Sequence, residues 1–152
     1  MIVESKILVT SGWNGLDEVT LSEIIDLSCS GYHHCPDWVD YPLAAAGATG
    51  LLLEHIPVIC GGLSQHETLY HDECYKVTAN KAVLLGRMSS KRKNAASVVI
   101  KNSTLWVTGG YSGNFALSST DFIYLNGSIH MGNSGWIYFK MSHYTKRSWL
   151  TS

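Results

Sequence analysis

Residues 104–113 read TLWVTGGYSG, a run of strand formers that ends in two adjacent glycines. One Gly-Gly pair signals only a turn, because glycine reaches positive φ without a Cβ clash. Here the pair returns. ICGGL at 59–63 carries Gly61-Gly62, VTGGY at 107–111 carries Gly109-Gly110, and VTSGW at 9–13 is a degenerate third copy. The last glycines, Gly12, Gly62 and Gly110, stand 50 and 48 residues apart. Eleven residues after each comes an acid followed by strand formers: Glu23 in EIIDL, Glu73 in ECYKV and Asp121 in DFIYL.

Outward from the glycines, GATGLLLEHIPVICGG (47–62) lies over AASVVIKNSTLWVTGG (95–110) without a gap, and the same ruler sets Ile2 opposite Leu52 and Ile100. Each copy then divides into four short strands. The first runs over 48–53 or 96–101, the second over 56–60 or 104–108, the third over 73–77 or 121–125 after a long loop, and a weaker fourth over 81–85. Lys101-Asn102-Ser103 and Asn126-Gly127-Ser128 suit tight reversals. Continuous apolar runs such as LLLEHIPVIC fit strands covered on both faces, as in stacked sheets. The ruler also puts residue 1 inside a strand, so a truncated or permuted start is expected.

Composition agrees with one globular domain: 152 residues, 45% apolar and 15% charged. Eleven basic against 12 acidic side chains give a net charge of −1 and no electrostatic reason to expect nucleic acid or an anionic membrane. Glu4 and Lys6 interrupt the opening where a secretory signal needs an apolar core, and no apolar run approaches a bilayer's thickness. Four cysteines (Cys29, Cys35, Cys60, Cys74) lack the C-x2-C spacing of a zinc ribbon, and buried thiols are the plain reading.

The double glycine, the acid-apolar-aromatic strand eleven residues on, and a tryptophan near the fourth strand together resemble the kelch repeat, whose blades have a period of about 50 residues. The resemblance covers residues 1–132, as copies at about 1–43, 44–88 and 89–132, with 133–152 a divergent tail or the start of a further blade. It implies an all-β fold of four-stranded antiparallel blades in an incomplete kelch-type β-propeller. The family packs a third-strand tyrosine on a fourth-strand tryptophan. Tyr75 matches the first and Trp38 the second, with Ile25 and Ile123 at the tyrosine position of the other copies, Val83 at the tryptophan position, and Arg92 as the arginine that precedes a first strand. Three blades fall short of the four to eight that close a propeller, so the remaining blades or self-association are expected to cover the outer flanks.

Enzyme chemistry finds little support. His66-Glu67 and His71-Asp72 place histidines five apart rather than four, and His33-His34-Cys35 has no further ligand in pattern. No G-x-S-x-G elbow or phosphate-binding Gly-Lys loop occurs. No cofactor or metal is expected. Cys60 and Cys74 flank one hairpin; they stand as thiols in a reducing compartment or as a bridge in an oxidising one, and thiols are favoured, because Thr108 and Phe122 fill the same places in the next copy. Sequons at Asn102 and Asn126 keep secretion as the alternative to a cytoplasmic location.

A kelch-like propeller presents the loops between second and third strands, and those between blades, on one rim that holds a protein partner. Those loops are 13–22, 63–72 and 111–120, with 89–94 beside them. The partner-binding candidates are Trp13, Asn14, Gln65, His66, Lys91, Arg92, Lys93, Tyr111, Asn114 and Phe115, of which Trp13, Tyr111 and Arg92 are the best anchors by type. The resemblance thus implies a non-enzymatic interaction module, of the kind found in ubiquitin-ligase adaptors or actin-binding proteins. The alternative is a piece of a secreted propeller, a glycoprotein or an oxidase-like enzyme.

Overall fold

The computed structural model describes residues 2–3, 6–27, 39–64 and 68–132, and every regular element among them is a strand. The first sheet orders β1 (Ile2–Val3), β2 (Lys6–Trp13) and β3 (Glu18–Asp26). The second orders β4 (Thr49–Leu53), β5 (Ile56–Cys60), β8 (Glu73–Val77) and β9 (Ala82–Arg87), with a small ribbon of β6 (Leu63–Ser64) and β7 (Leu69–Tyr70) in the loop between β5 and β8. The third orders β10 (Ala96–Ile100), β11 (Thr104–Thr108), β12 (Thr120–Ile123) and β13 (Ile129–Gly132). All pairings are antiparallel and no sheet closes on itself, which is the all-β architecture of an incomplete propeller.

Alternation along the strands sends each sheet's two faces to different neighbours. Leu53, Val58, Cys60 and Cys74 on one face of the second sheet meet Leu105, Val107 and Ile123 of the third, all at or near zero exposure. Ile59 and Val77 on its other face pack with Tyr41 and Ala45 of the chain leading in from the first sheet. Tyr75 lies edge-on to Tyr41, with ring centroids 5.7 Å apart. Trp38, the partner expected for Tyr75, lies outside the described residues. The Tyr41 hydroxyl is buried with no hydrogen-bond partner among the described residues. Burial first, then Tyr75 and Glu73, push that phenol far above its ordinary pKa, so it stays neutral.

Three details of register correct the sequence reading. The β4–β5 turn has two residues, since Leu53 pairs with Ile56, whereas the β10–β11 turn has three, since Ile100 pairs with Thr104. The overlay upstream of the turn therefore needs a one-residue gap, and Leu53, not Leu52, corresponds to Ile100. Next, the acid at constant offset shares a register only in the outer sheets. Glu23 faces Val9 and Asp121 faces Val107, but Ile59 faces Tyr75, because the loop holding the β6–β7 ribbon takes up two extra residues. Ile25 and Ile123 thus match Val77 rather than Tyr75.

The same shift reveals a common slot two residues before each last glycine. Thr10 pairs with Ser22 and Thr108 with Thr120, each joined hydroxyl to hydroxyl, the second at 2.8 Å. In the second sheet the slot holds Cys60 and Cys74, joined by a disulfide with Cα atoms 4.1 Å apart. The expectation of two thiols is corrected, and Thr120, not Phe122, is the counterpart of Cys74. Finally, β2 and β3 run on to Trp13 and Glu18, so the loop expected over 13–22 shrinks to Asn14–Asp17.

Candidate functional site: the rim loops

The loops at the glycine end of the sheets are built by close backbone crossings. Lys93 and Tyr111 exchange both backbone hydrogen bonds at 3.0 Å, and Ala46 does the same with Leu63 at 2.8 and 2.9 Å. The crossing at Tyr111 needs Gly110: at φ +89° a Cβ would sit 2.6 Å from the Lys93 carbonyl oxygen. In the first sheet Ser11 takes the left-handed conformation (φ 58°) that Gly61 and Gly109 take elsewhere. Its hydroxyl offsets the strain by donating to the Ala45 carbonyl at 2.6 Å and accepting from the Ala45 amide at 3.1 Å.

Arg92 was expected on the exposed rim and is instead buried, its side chain fully covered. One guanidinium nitrogen pairs with Asp121 at 2.7 Å and donates to Ser119 Oγ at 3.0 Å. The other terminal nitrogen donates to the carbonyls of Gly109 and Ser119, each at 3.0 Å. Burial lowers the Arg92 pKa, and the Asp121 charge opposes that shift without cancelling it. The Arg92 backbone meanwhile accepts from Gly62 N–H at 2.8 Å and donates to the His71 carbonyl at 3.0 Å. One residue thus closes the loop of the second sheet with its backbone and that of the third with its side chain.

The remaining candidates divide by surroundings. Lys91, Asn114 and Phe115 are exposed, Phe115 at 62%. Tyr111 is 39% exposed and lies edge-on to Tyr70 at 6.4 Å, while Lys93 Nζ sits over the Tyr70 ring at 5.7 Å. Tyr70 drew no attention in the sequence because its loop partner lies 41 positions away. Trp13 is 51% exposed at the head of the β2–β3 hairpin. Asn14 is committed to that turn, where its carboxamide oxygen accepts from the amides of Leu16 and Asp17 at 2.8 Å. Gln65 and His66 lie outside the described residues.

Sequence reasoning also missed a polar row under the second-sheet loop. Ser64 Oγ lies 2.7 Å from His71 Nε2, and His71 Nδ1 lies 3.4 Å from Glu73. Arg87 binds both Asp72 (2.7 Å) and Glu73 (2.8 Å). Burial pushes the Glu73 carboxyl up, but the Glu73 and Asp72 backbone amides, Arg87 and His71 outweigh it and hold the carboxyl below its ordinary range. The order serine, histidine, carboxylate is that of a nucleophile relay. Ser64 and His71 are both buried, at 7% and 6% exposure. No group of three or more histidine, cysteine or acidic residues among the described residues is placed to hold a metal ion.

Comparison with known proteins gives a fold and no family. No family model and no curated protein matches the chain. Among solved structures, that of YjhT superposes with a TM-score of 0.69 at 16% identity, over 85% of this chain and 43% of that one. The chain spans less than half the length of the solved protein it matches, and the likeness concerns the fold alone.

Proposed function

We propose that the chain is a non-enzymatic protein-interaction module, a kelch-type propeller segment that holds a protein partner on its rim loops, as the substrate-recognition part of a ubiquitin-ligase adaptor or of an actin-binding protein does. The observation that carries this reading is the exposure of large apolar side chains at the tips of short, well-braced loops: Trp13 at 51%, Leu16 at 78% and Phe115 at 62%. Such groups bury large area on contact at small entropic cost when their backbone is already fixed. The Asn14 turn and the Ser112 to Phe115 hydrogen bonds at 3.1 and 3.2 Å supply that fixation.

The test is capture of a cross-linked partner by the wild-type chain and by Trp13→Ala and Phe115→Ala. The reading expects each variant to lose most of the captured protein while melting within about 2 °C of the wild type, since exposed side chains cost little stability. Equal capture by all three chains would sink it.

A second reading, a segment of a secreted propeller, is favoured by the Cys60–Cys74 bridge, because buried disulfides persist where the compartment is oxidising. Thiol counting on denatured chain from its native source separates the two. A protected Cys60–Cys74 pair supports secretion, and free thiols at both positions support the cytoplasmic module.

A further inference from the structure

Of the seven asparagines in the sequence, two head an acceptor sequence for N-linked glycan, asparagine followed two places on by a hydroxyl residue with no proline between: Asn102-Ser103-Thr104 and Asn126-Gly127-Ser128. Both lie in hairpin turns of the third sheet. Ile100 pairs with Thr104 across the first turn and Ile123 with Ile129 across the second, and Leu105 faces Ile123, so the two turns leave the sheet at one end. Gly109-Gly110 and the rim loops lie at the other end, beyond the row of Ala96, Thr108 and Thr120. Both asparagines are exposed. The Asn102 backbone carbonyl accepts from the Glu54 amide at 3.2 Å, while its carboxamide has no hydrogen bond among the described residues. Asn126 Oδ1 accepts from the Ser128 amide at 2.9 Å and from the Ser128 hydroxyl at 2.6 Å, which leaves Nδ2, the atom a sugar would join, unengaged among the described residues. The rim asparagines differ. Asn14, Asn94 and Asn114 are followed two places on by Leu16, Ala96 and Ala116, so none meets the acceptor rule.

We propose that Asn102 and Asn126 are N-glycosylation sites, which clothe with carbohydrate the end of the third sheet opposite the rim. The assignment rests on the reading of the chain as a segment of a secreted propeller. The buried Cys60–Cys74 bridge is the independent sign of an oxidising compartment, the setting in which such transfer takes place. Each transfer joins asparagine Nδ2 to the anomeric carbon of an oligosaccharide carried on a lipid pyrophosphate. The N–C bond forms as the bond from that carbon to the phosphate oxygen breaks, the nitrogen gives up one proton, and the lipid pyrophosphate leaves. A bulky, hydrated chain is accommodated where it displaces no packing and breaks no hydrogen bond. Both turns meet that condition, because each carboxamide nitrogen is exposed and without a partner among the described residues. A glycan on the rim would cover Trp13 and Phe115, whereas these two start from the opposite end of the sheet. Carbohydrate at one end and loops open to a partner at the other divide the surface between two roles.

The experiment is peptide mapping of the chain purified from its native source, denatured and treated with peptide N-glycosidase in water enriched in heavy oxygen. Release of a glycan converts its asparagine to an aspartate that carries the heavy oxygen. A parallel incubation without the enzyme counts the spontaneous deamidation to which Asn126-Gly127 is open. The expected result is enzyme-dependent label at both Asn102 and Asn126, a fall in the mass of the intact chain, and no such label at Asn14, Asn94 or Asn114. Unlabelled asparagine at either sequon, or enzyme-dependent label on a rim asparagine, overturns the proposal. Thiol counting on the same sample keeps that failure apart from failure of the secreted reading. A protected Cys60–Cys74 pair without label removes the glycans and leaves secretion standing, whereas free thiols without label remove both. Label at both sequons supports the sites whatever the thiol count.

Discussion

Removing the Arg92 side chain leaves Asp121 charged at zero exposure and strips donors from the carbonyl oxygens of Gly109 and Ser119. An ion that loses its charge partner in such a site, with the Ser89 amide and hydroxyl still donating to it at 2.9 and 3.0 Å, costs about 3–5 kcal/mol. Arg92→Ala is therefore expected to lower stability by that amount in urea titration, whereas Lys91→Ala, one residue away and exposed, should stay within about 0.5 kcal/mol. An Arg92→Ala chain with an unchanged midpoint would return Arg92 to the rim. The sequence shows three cations at 91–93 and no sign of which is inside, because a basic run reads as a solvated face. What separates them is the crossing of the connector over Gly62, which fixes the Arg92 backbone and turns its side chain inward. Trp13 and Phe115, by contrast, were legible as exposed, since each lies beside turn residues whose own hydrogen bonds keep the loop short.

At the scale of strands and turns, the β4–β5 reversal shows a local cost that the fold tolerates. Glu54 and His55 both have positive φ, 48° and 66°, as the two-residue turn that matches strand twist requires. Neither residue favours that conformation. The double variant Glu54→Asn, His55→Gly supplies the residue types the turn selects and should raise stability by about 0.5–1 kcal/mol in thermal denaturation. A loss instead would mean that the two side chains make contacts worth more than the strain. The strands at 56–60, 73–77 and 104–108 were readable to the residue because apolar runs and glycine pairs bound them. The one-residue gap and the two-residue β8 shift were not, since both insertions fall in polar turns where composition leaves no mark. The Cys60–Cys74 bridge stood as the less favoured alternative to two thiols for the same reason, because Phe122 rather than Thr120 was set opposite Cys74. Only the corrected register shows that Thr10–Ser22, Thr108–Thr120 and the two cysteines fill one slot, and that a cross-strand link is the rule there.

Across the whole molecule, stability is shared unevenly among the three sheets. The second and third are joined by a common core, by Arg92, and by the Thr49–Ser97 hydroxyl pair at 2.7 Å. The first is tied to the chain that follows it through Ser11 with Ala45 and through the Tyr41 amide to the Thr20 carbonyl at 3.0 Å, while Val9, Leu21 and Ile25 on its far face are exposed. In stacked arrays each unit depends on its neighbours, so the sheet with fewer links to the next one opens at lower free energy. Hydrogen exchange should therefore find the amides of β5 and β11 slowest and nearly equal. Those of β3 should exchange about tenfold faster or more. Uniform protection over all three sheets would mean that the first sheet is bound to the rest as firmly as the second is to the third, and the uneven picture would have to be given up.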